Sequence, residues 1–219
     1  MDIFNYRFLL RRPERMTAVW ALALYALYLL LLFGVQSIVQ LATTQSSGRV
    51  KGIGRTRTEQ VANLLFLVSL GLDLGGPALV LTGVLRPVKV VDTSVLHTSG
   101  FVIFGAALIS GIVARQTMGG AWRTGIDPSS ATPLVSHGLF AVVRNPVYSS
   151  MISTSIAVAL LVPTVIAPLA PVLRIIGLEM QTRLVEEPFL LRTHGHTYRE
   201  YAERVGRFLP LLGEWTRHG

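Results

Sequence analysis

Apolar runs long enough to cross a bilayer alternate along this chain with short stretches rich in Arg, Gly and Ser. Thr17 to Leu41 contains no formally charged residue, and the roughly 20 residues needed to cross about 30 Å of hydrocarbon fit inside it. It predicts a first membrane span. The arginines before it (Arg7, Arg11, Arg12, Arg15) also suit a signal peptide, but the run exceeds the usual apolar core of about 7–15 residues. Ala42 to Gln60 is rich in Ser, Thr, Gly, Lys and Arg, the composition of a solvated linker whose backbone cannot lie unpaired in lipid. A second span is expected from about Val61 to Leu85 and a third from about Leu96 to Ala114.

The polar stretch from Arg115 to Asn145 holds Met118-Gly119-Gly120, Trp122-Arg123 and Asp127-Pro128. It predicts a loop of functional length. Asn145-Pro146 reads as an N-cap followed by proline at the first helical position, so a fourth span begins near Pro146. It shares the apolar stretch Val147 to Met180 with a fifth, and Pro163, Pro168 and Pro171 place the turn near the middle. From Gln181 the pattern turns amphipathic, predicting two short interfacial helices, about Gln181 to Leu191 and His196 to Val205. The fold class is an all-α integral membrane protein of about five transmembrane helices, the last two a hairpin, with short interfacial C-terminal helices.

Composition agrees. Hydrophobic residues make up 51%, charged residues only 15%, and the mean hydropathy is +0.52, too apolar for a soluble domain. The absence of cysteine excludes disulfides and thiolate catalysis. The net charge of +8 fits arginines at membrane boundaries facing anionic headgroups rather than a nucleic-acid surface. Arg49, Lys51, Arg55 and Arg57 agree with a cytoplasmic 42–60 linker under the positive-inside rule. The N-terminal arginines then fall outside, against it, and the cytoplasmic arrangement is favoured because a cytosolic cofactor needs the site on that side. Five spans bring Arg144 and the carboxyl terminus to that same side.

Within the spans, Asp73 is either functional or, at least as plausibly, an interhelical structural partner, since an ionised carboxylate at that depth is costly unless paired. Gly71 and Gly75 form a GxxxG spacing that suggests close helix packing. Arg144, just before a helix start, is placed either to fix an anionic group with that helix N-terminus or to snorkel to headgroups. Arg183 lies four residues before Glu187, on one helical face, as a ligand site or as a solvated ion pair. Tyr198 and Tyr201 form an aromatic edge for an adenine ring or belong to an interfacial belt. The five histidines lack metal-site spacing, so no metal is expected. No GxGxxG, Walker loop or GxSxG elbow occurs.

Taken in order, Gly138, Phe140, Arg144, Asn145, Pro146, Tyr148, then Arg183, Glu186, Glu187, Leu190, then Gly195, Tyr198, Tyr201, and finally Arg207, Phe208, Pro210 form a series that resembles the isoprenylcysteine carboxyl methyltransferase family and its bacterial-type membrane relatives. Asn145 stands where the eukaryotic carboxyl methyltransferases carry His. The resemblance implies an enzyme, an S-adenosylmethionine-dependent methyltransferase that releases S-adenosylhomocysteine. It also implies a lipophilic acceptor entering from the bilayer, a carboxylate in the named family, with a phospholipid or other amine as the alternative acceptor. A non-catalytic transporter or assembly protein is the alternative of another class. Residues 1–114 would be the N-terminal transmembrane helices and 115–219 the catalytic region. His137, Gly138, Leu139, Arg144, Asn145, Tyr148, Glu186, Glu187, Tyr198 and Tyr201 would hold the cofactor on the cytoplasmic side. Arg183 would orient the acceptor beside Glu187, which would serve as base for an amine, thiol or hydroxyl.

Overall fold

The computed structural model describes residues 13–44, 56–89, 93–122 and 133–215. Arg7, Arg11, Arg12, Arg49, Lys51, Arg55, Arg123, Asp127 and Pro128, used above for orientation or for the polar loop, lie outside the described residues. The first rod comprises α1 (Pro13–Leu29), a π-helical turn (Leu30–Val35) and α2 (Gln36–Thr44). The second, α3 (Arg57–Thr82), starts on a capping box in which Thr56 N–H donates to Glu59 and Glu59 N–H donates to the Thr56 hydroxyl, both at 3.1 Å, so two orphan donors are satisfied reciprocally. It stops at Gly83, whose φ of 83° closes the helix without a Cβ clash.

Thr93 caps α4 (Ser94–Met118). The expected hairpin follows as α5 (Pro146–Leu161) and α6 (Leu169–Gln181), joined across Pro163 and Pro168. A second π-helical turn (Thr182–Glu186) leads into α7 (Glu187–Arg204), which bends at Gly195 where φ is 55°. Gly195 takes a non-helical conformation (φ 55°, ψ −128°) that divides this stretch into two helical segments, as the sequence pattern leads one to expect.

Three rods, Glu14–Thr43, Arg57–Thr82 and Ser94–Ala121, are long and apolar enough to cross a membrane. At 1.5 Å per residue, the 16 residues of α5 and the 13 of α6 reach only about 24 and 20 Å, so the hairpin legs are short. Outward-facing Leu64, Leu67, Val102 and Ile109 are 60–66% exposed, an apolar exterior that suits lipid.

The helices pack through small residues. A Cβ on Gly111 would lie 2.5 Å from Ser150 Oγ, one on Gly100 2.9 Å from Leu161 Cγ, and one on Gly177 3.0 Å from the Ala62 carbonyl. These glycines let α4 approach α5, and α6 approach α3. Gly71 and Gly75 do not serve this purpose, because nothing lies within 4 Å of either added Cβ. α3 turns Ser69, Asp73, Gly76 and Val80 inward, which rotates Gly71 to the outside. Gly111→Val is expected to cost about 1–3 kcal/mol by overpacking, read as a lower thermal midpoint in detergent; an unchanged midpoint would contradict the close α4–α5 contact.

Asp73 is an interhelical structural partner. Arg174 Nη2 donates to its Oδ2 at 2.8 Å, Tyr25 OH donates to the same oxygen at 3.0 Å, and Ser155 Oγ donates to Oδ1 at 2.8 Å. Arg174 also donates through Nη1 to Tyr25 OH and through Nε to Ser69 Oγ, both at 3.0 Å. One fully bonded polar knot thus joins α1, α3, α5 and α6 inside the apolar bundle.

Arg115 corrects the expected loop boundary. It lies inside α4, buried, donating to the Leu32 carbonyl within the first π turn at 2.9 Å and to Ser37 Oγ at 3.1 Å, with its guanidinium 4.2 Å from the Trp122 ring centre. The helix continues through this arginine because packing and hydrogen bonds take up its charge.

Candidate functional site

The end of the bundle that carries the α5 start and the α6 end is closed by the chain's last segment. Gly138 (φ 60°) opens a 3₁₀ turn, Gly138–Ala141, and residues 143–145 then run beside the C-terminal strap. Arg144 N–H donates to the Gly206 carbonyl at 2.8 Å and Asn145 N–H to the Arg207 carbonyl at 3.1 Å. A Cβ at Gly206 would lie 2.1 Å from the Leu209 carbonyl oxygen, so only glycine fits. Asn145 occupies the N-cap position of α5 but makes no side-chain cap; its amide donates to the Arg207 carbonyl at 3.3 Å instead. The strap has taken that side chain.

Arg144 is 5% exposed. Its Nη1 donates to the carbonyls of Ala202, at 2.8 Å, and Val205, and its Nη2 to Glu187 Oε1 at 2.8 Å and the Gly213 carbonyl at 2.9 Å. A cation at the carboxyl end of α7 is stabilised by the helix dipole. Arg207 completes the node, gripping Glu187 with Nε to Oε1 at 2.9 Å and Nη2 to Oε2 at 3.0 Å, and reaching Glu179 at 3.3 Å. Glu187 is thus held by two guanidiniums, one of them bidentate, the strong form of the contact.

The neighbouring carboxylates are treated in opposite ways. Burial alone would raise the Glu187 carboxyl, but hydrogen bonds from Arg207 and Arg144 outweigh it and hold the group below its ordinary range. Half-buried Glu186 is pushed up, chiefly by burial, against hydrogen bonds from Tyr148 and Gln181, with the Glu187 charge adding to the rise. Tyr148 OH donates to Glu186 Oε1 at 2.6 Å and Gln181 Nε2 to the same oxygen at 3.3 Å. Burial lowers Arg207 less than Glu187 and Glu179 raise it, so it stays charged.

Tyr198 and Tyr201 face inward. Tyr201 OH donates to the Phe140 carbonyl at 2.6 Å, and Tyr198 stands edge-on to Tyr201 and to Trp215, with centroids 6.2 and 6.0 Å apart. Burial pushes the Tyr201 phenol up to about 12. His137 and Gly138 are exposed and Leu139 half-buried beside them.

Arg183 does not pair with Glu187. Arg183 is 63% exposed and its carboxylate contact is Glu179 at 3.9 Å, while Glu187 is buried between Arg144 and Arg207. The structure therefore gathers Arg144, Asn145, Tyr148, Glu186, Glu187, Tyr198 and Tyr201 at one end of the bundle, with His137–Leu139 at its edge and Arg183 outside the ion-pair node.

Sequence reasoning quoted Arg207 in its motif without a role, and it missed Glu179, Gln181 and Gly206. A buried acidic pair in an apolar chain demands cations, and Arg207 was the signal available. Three buried polar atoms here have no partner: Arg144 Nε, Gln181 Oε1 and Thr182 Oγ1. Among the described residues no group of His, Asp and Glu comes together as a metal site.

Residues 95–197 match the family model described as phospholipid methyltransferase. The whole bundle is similar to a solved structure of the eukaryotic intramembrane Ras methyltransferase ICMT (isoprenylcysteine carboxyl methyltransferase), with a TM-score of 0.65 and 20% identity, over 96% of this chain and 72% of that one. At that identity the likeness bears on the fold. A search of curated proteins gives no match.

Proposed function

We propose that this chain, which is similar over residues 95–197 to the phospholipid methyltransferase family, is an integral membrane methyltransferase that takes its methyl group from S-adenosylmethionine and passes it to a lipophilic acceptor at a site facing the cytoplasm. The observation that carries this reading is the convergence of four motifs separated in sequence. The Arg144 element, the Glu186–Glu187 pair, the Tyr198–Tyr201 helix and the Arg207 strap meet through one node in which Arg144 and Arg207 hold Glu187. A purely structural helix end needs a cap, not a buried cluster of this size.

The residues present suit that donor. The unpartnered Arg144 Nε is a hydrogen-bond donor, the unpartnered Gln181 Oε1 an acceptor and Thr182 Oγ1 either, matching a ligand that carries both carboxylate and ammonium groups. His137, Gly138, Leu139, Arg144, Asn145 and Tyr148 would line one side, and Glu186, Glu187, Tyr198 and Tyr201 the other. When bound, the sulfonium supplies a methyl group already activated for transfer.

The protein's own contribution is to orient the reactants and exclude water. Glu187, locked by two arginines, provides fixed geometry and a fixed negative charge. Arg183, exposed and only loosely held by Glu179, is free to reach an acceptor group entering from the lipid side.

Calorimetric titration of S-adenosylmethionine and S-adenosylhomocysteine into the detergent-purified chain tests this. Saturable binding is expected in the wild type and in Arg183→Lys, and its loss in Glu187→Gln, with helicity followed by circular dichroism. Folded wild type that binds neither compound would remove this donor from the reading. Loss of binding in Arg183→Lys would move Arg183 from the acceptor to the donor.

A further inference from the structure

The C-terminal strap, after running beside Asn145, closes in a tight apolar turn. Leu209, Pro210, Leu211 and Leu212 are consecutive and all exposed, Leu211 at 79%. Leu212 N–H donates to the Leu209 carbonyl at 3.2 Å, with proline second and Leu211 third at a φ of 63°, the pattern of a type II turn. That third position ordinarily goes to glycine or asparagine, which reach a left-handed φ at little cost. Among the described residues, Leu211 is the only non-glycine with a positive φ. A leucine that is both strained and exposed is doubly unfavourable in water, and backbone outliers of this kind collect where a segment has a task.

Two observations bear on what covers this tip. The first is its level in the bundle. The Phe208 carbonyl, one residue before the turn, accepts from Ser149 Oγ at 2.7 Å. Ser149 lies three residues beyond the first residue of α5, about 4.5 Å along the helix. The turn therefore leaves the strap at the level where the hairpin enters the apolar bundle, and Val142, next to the strand-like contact of Val143 with Gly206, is exposed at the same end.

The second is the state of the backbone. The carbonyls of Gly206, Arg207, Phe208 and Leu209 accept from Arg144 N–H, Asn145 N–H, Ser149 Oγ and Leu212 N–H respectively, and the Leu212 carbonyl accepts from Arg207 N–H at 2.8 Å. Pro210 has no N–H to satisfy. Irregular chain can border hydrocarbon only when its polar groups find partners within the protein, and this strap has already supplied them.

We propose that the Leu209–Leu212 turn docks into the lipid itself, at the boundary between headgroups and acyl chains at this end of the bundle, with Leu211 as the leading anchor. Removing these leucines from water offsets the left-handed backbone at Leu211. Exposed Arg204, just before the strap, offers a cation to anionic headgroups. The strap also carries Arg207, which grips Glu187, so the bilayer and the ion-pair node hold the same segment from two sides. This docking does not depend on which methyl donor the site takes.

The chain contains no cysteine, so Leu211→Cys accepts a single nitroxide label. The full chain is placed in nanodiscs of phosphatidylcholine and phosphatidylglycerol, with helicity matched to the wild type by circular dichroism. Electron paramagnetic resonance power saturation then compares collisions with oxygen, which partitions into lipid, and with a water-soluble nickel chelate. Oxygen is expected to dominate at position 211, as it should at lipid-facing Leu64→Cys. In a second protein, Leu211→Asn is combined with a label at Leu209→Cys. Asparagine suits the left-handed φ but removes the anchor, so collisions at 209 should shift toward nickel relative to Leu209→Cys alone.

Nickel dominating at 211 overturns the proposal, because the tip then faces water. Protection from both reagents also overturns it: with dipolar broadening between labels, the turn belongs to an interface with a second copy of the chain, and without broadening, another part of the same chain covers it. A balance at 209 unchanged by Leu211→Asn overturns Leu211 as the anchor.

Discussion

Arg174→Met is expected to destabilise the bundle by about 3–5 kcal/mol, the usual cost of removing one partner from a buried ion pair. Asp73 would lose Arg174 Nη2 and be left in an apolar interior with two hydroxyl donors, Tyr25 and Ser155. The same change leaves Ser69 Oγ without the bond it receives from Arg174 Nε. Met keeps the apolar stem but stops short of the guanidinium, so the loss combines an unpaired charge with a void, and a second substitution separates the two.

Adding Asp73→Asn should restore much of the stability, because the uncompensated charge is what costs most and a buried pair is often worth little against an uncharged replacement. The measurement is a double-mutant cycle on thermal or denaturant midpoints in detergent. Additive losses in the double variant would show that the knot acts through packing alone. Since Arg174 lies on α6, which leads directly into the π turn bearing Glu186, donor binding should weaken in Arg174→Met as well.

The second large effect is loss of the C-terminal strap in acid. Glu187 is held below its ordinary carboxyl value in the folded protein, so the unfolded state binds its proton more readily. The stability this group contributes is fully present above the unfolded value of about 4.3 and is lost as pH falls through the lower folded value. Protonation would free Arg144 and Arg207 from their shared partner and with them the strap. Trp215, whose N–H donates to the Ala202 carbonyl at 3.0 Å and whose ring stands against Tyr198, reports its release by fluorescence and limited proteolysis.

Arg207→Met should reproduce the acid state at neutral pH, again at about 3–5 kcal/mol, and Glu187→Gln should remove the acid transition. An acid transition that survives in Glu187→Gln would assign it to another carboxylate. Glu186 acts with the opposite sign: its folded value is raised, so it favours the folded state as pH falls and opposes it once ionised.

Much of this protein was legible along the chain because a bilayer imposes a length and a polarity on each segment. The charge-free run from Thr17 to Leu41 gave a spanning rod. Asn145-Pro146 marked the start of α5, and Pro163 and Pro168 separated α5 from α6, with Pro171 in the first turn of α6. Motif order pointed to the end of the bundle at which chemistry residues collect. These are local properties, fixed by hydropathy, by missing N–H groups and by turn residues.

The pairing of charges was not legible. Arg183 and Glu187 have the spacing of an i,i+4 pair, yet Arg183 lies exposed beside Glu179 and does not pair with Glu187. Glu187 instead meets Arg144 and Arg207, 43 and 20 residues away along the chain, because the strap folds back over residues 143–145. Gly71 and Gly75 have the spacing of a packing seam, yet α3 turns Asp73 inward to Arg174 and nothing lies within 4 Å of a Cβ added at either glycine. Sequence determined which segments enter the membrane and where they turn; tertiary structure decided which buried charges meet, because desolvation penalties are settled only by partners brought from distant parts of the chain.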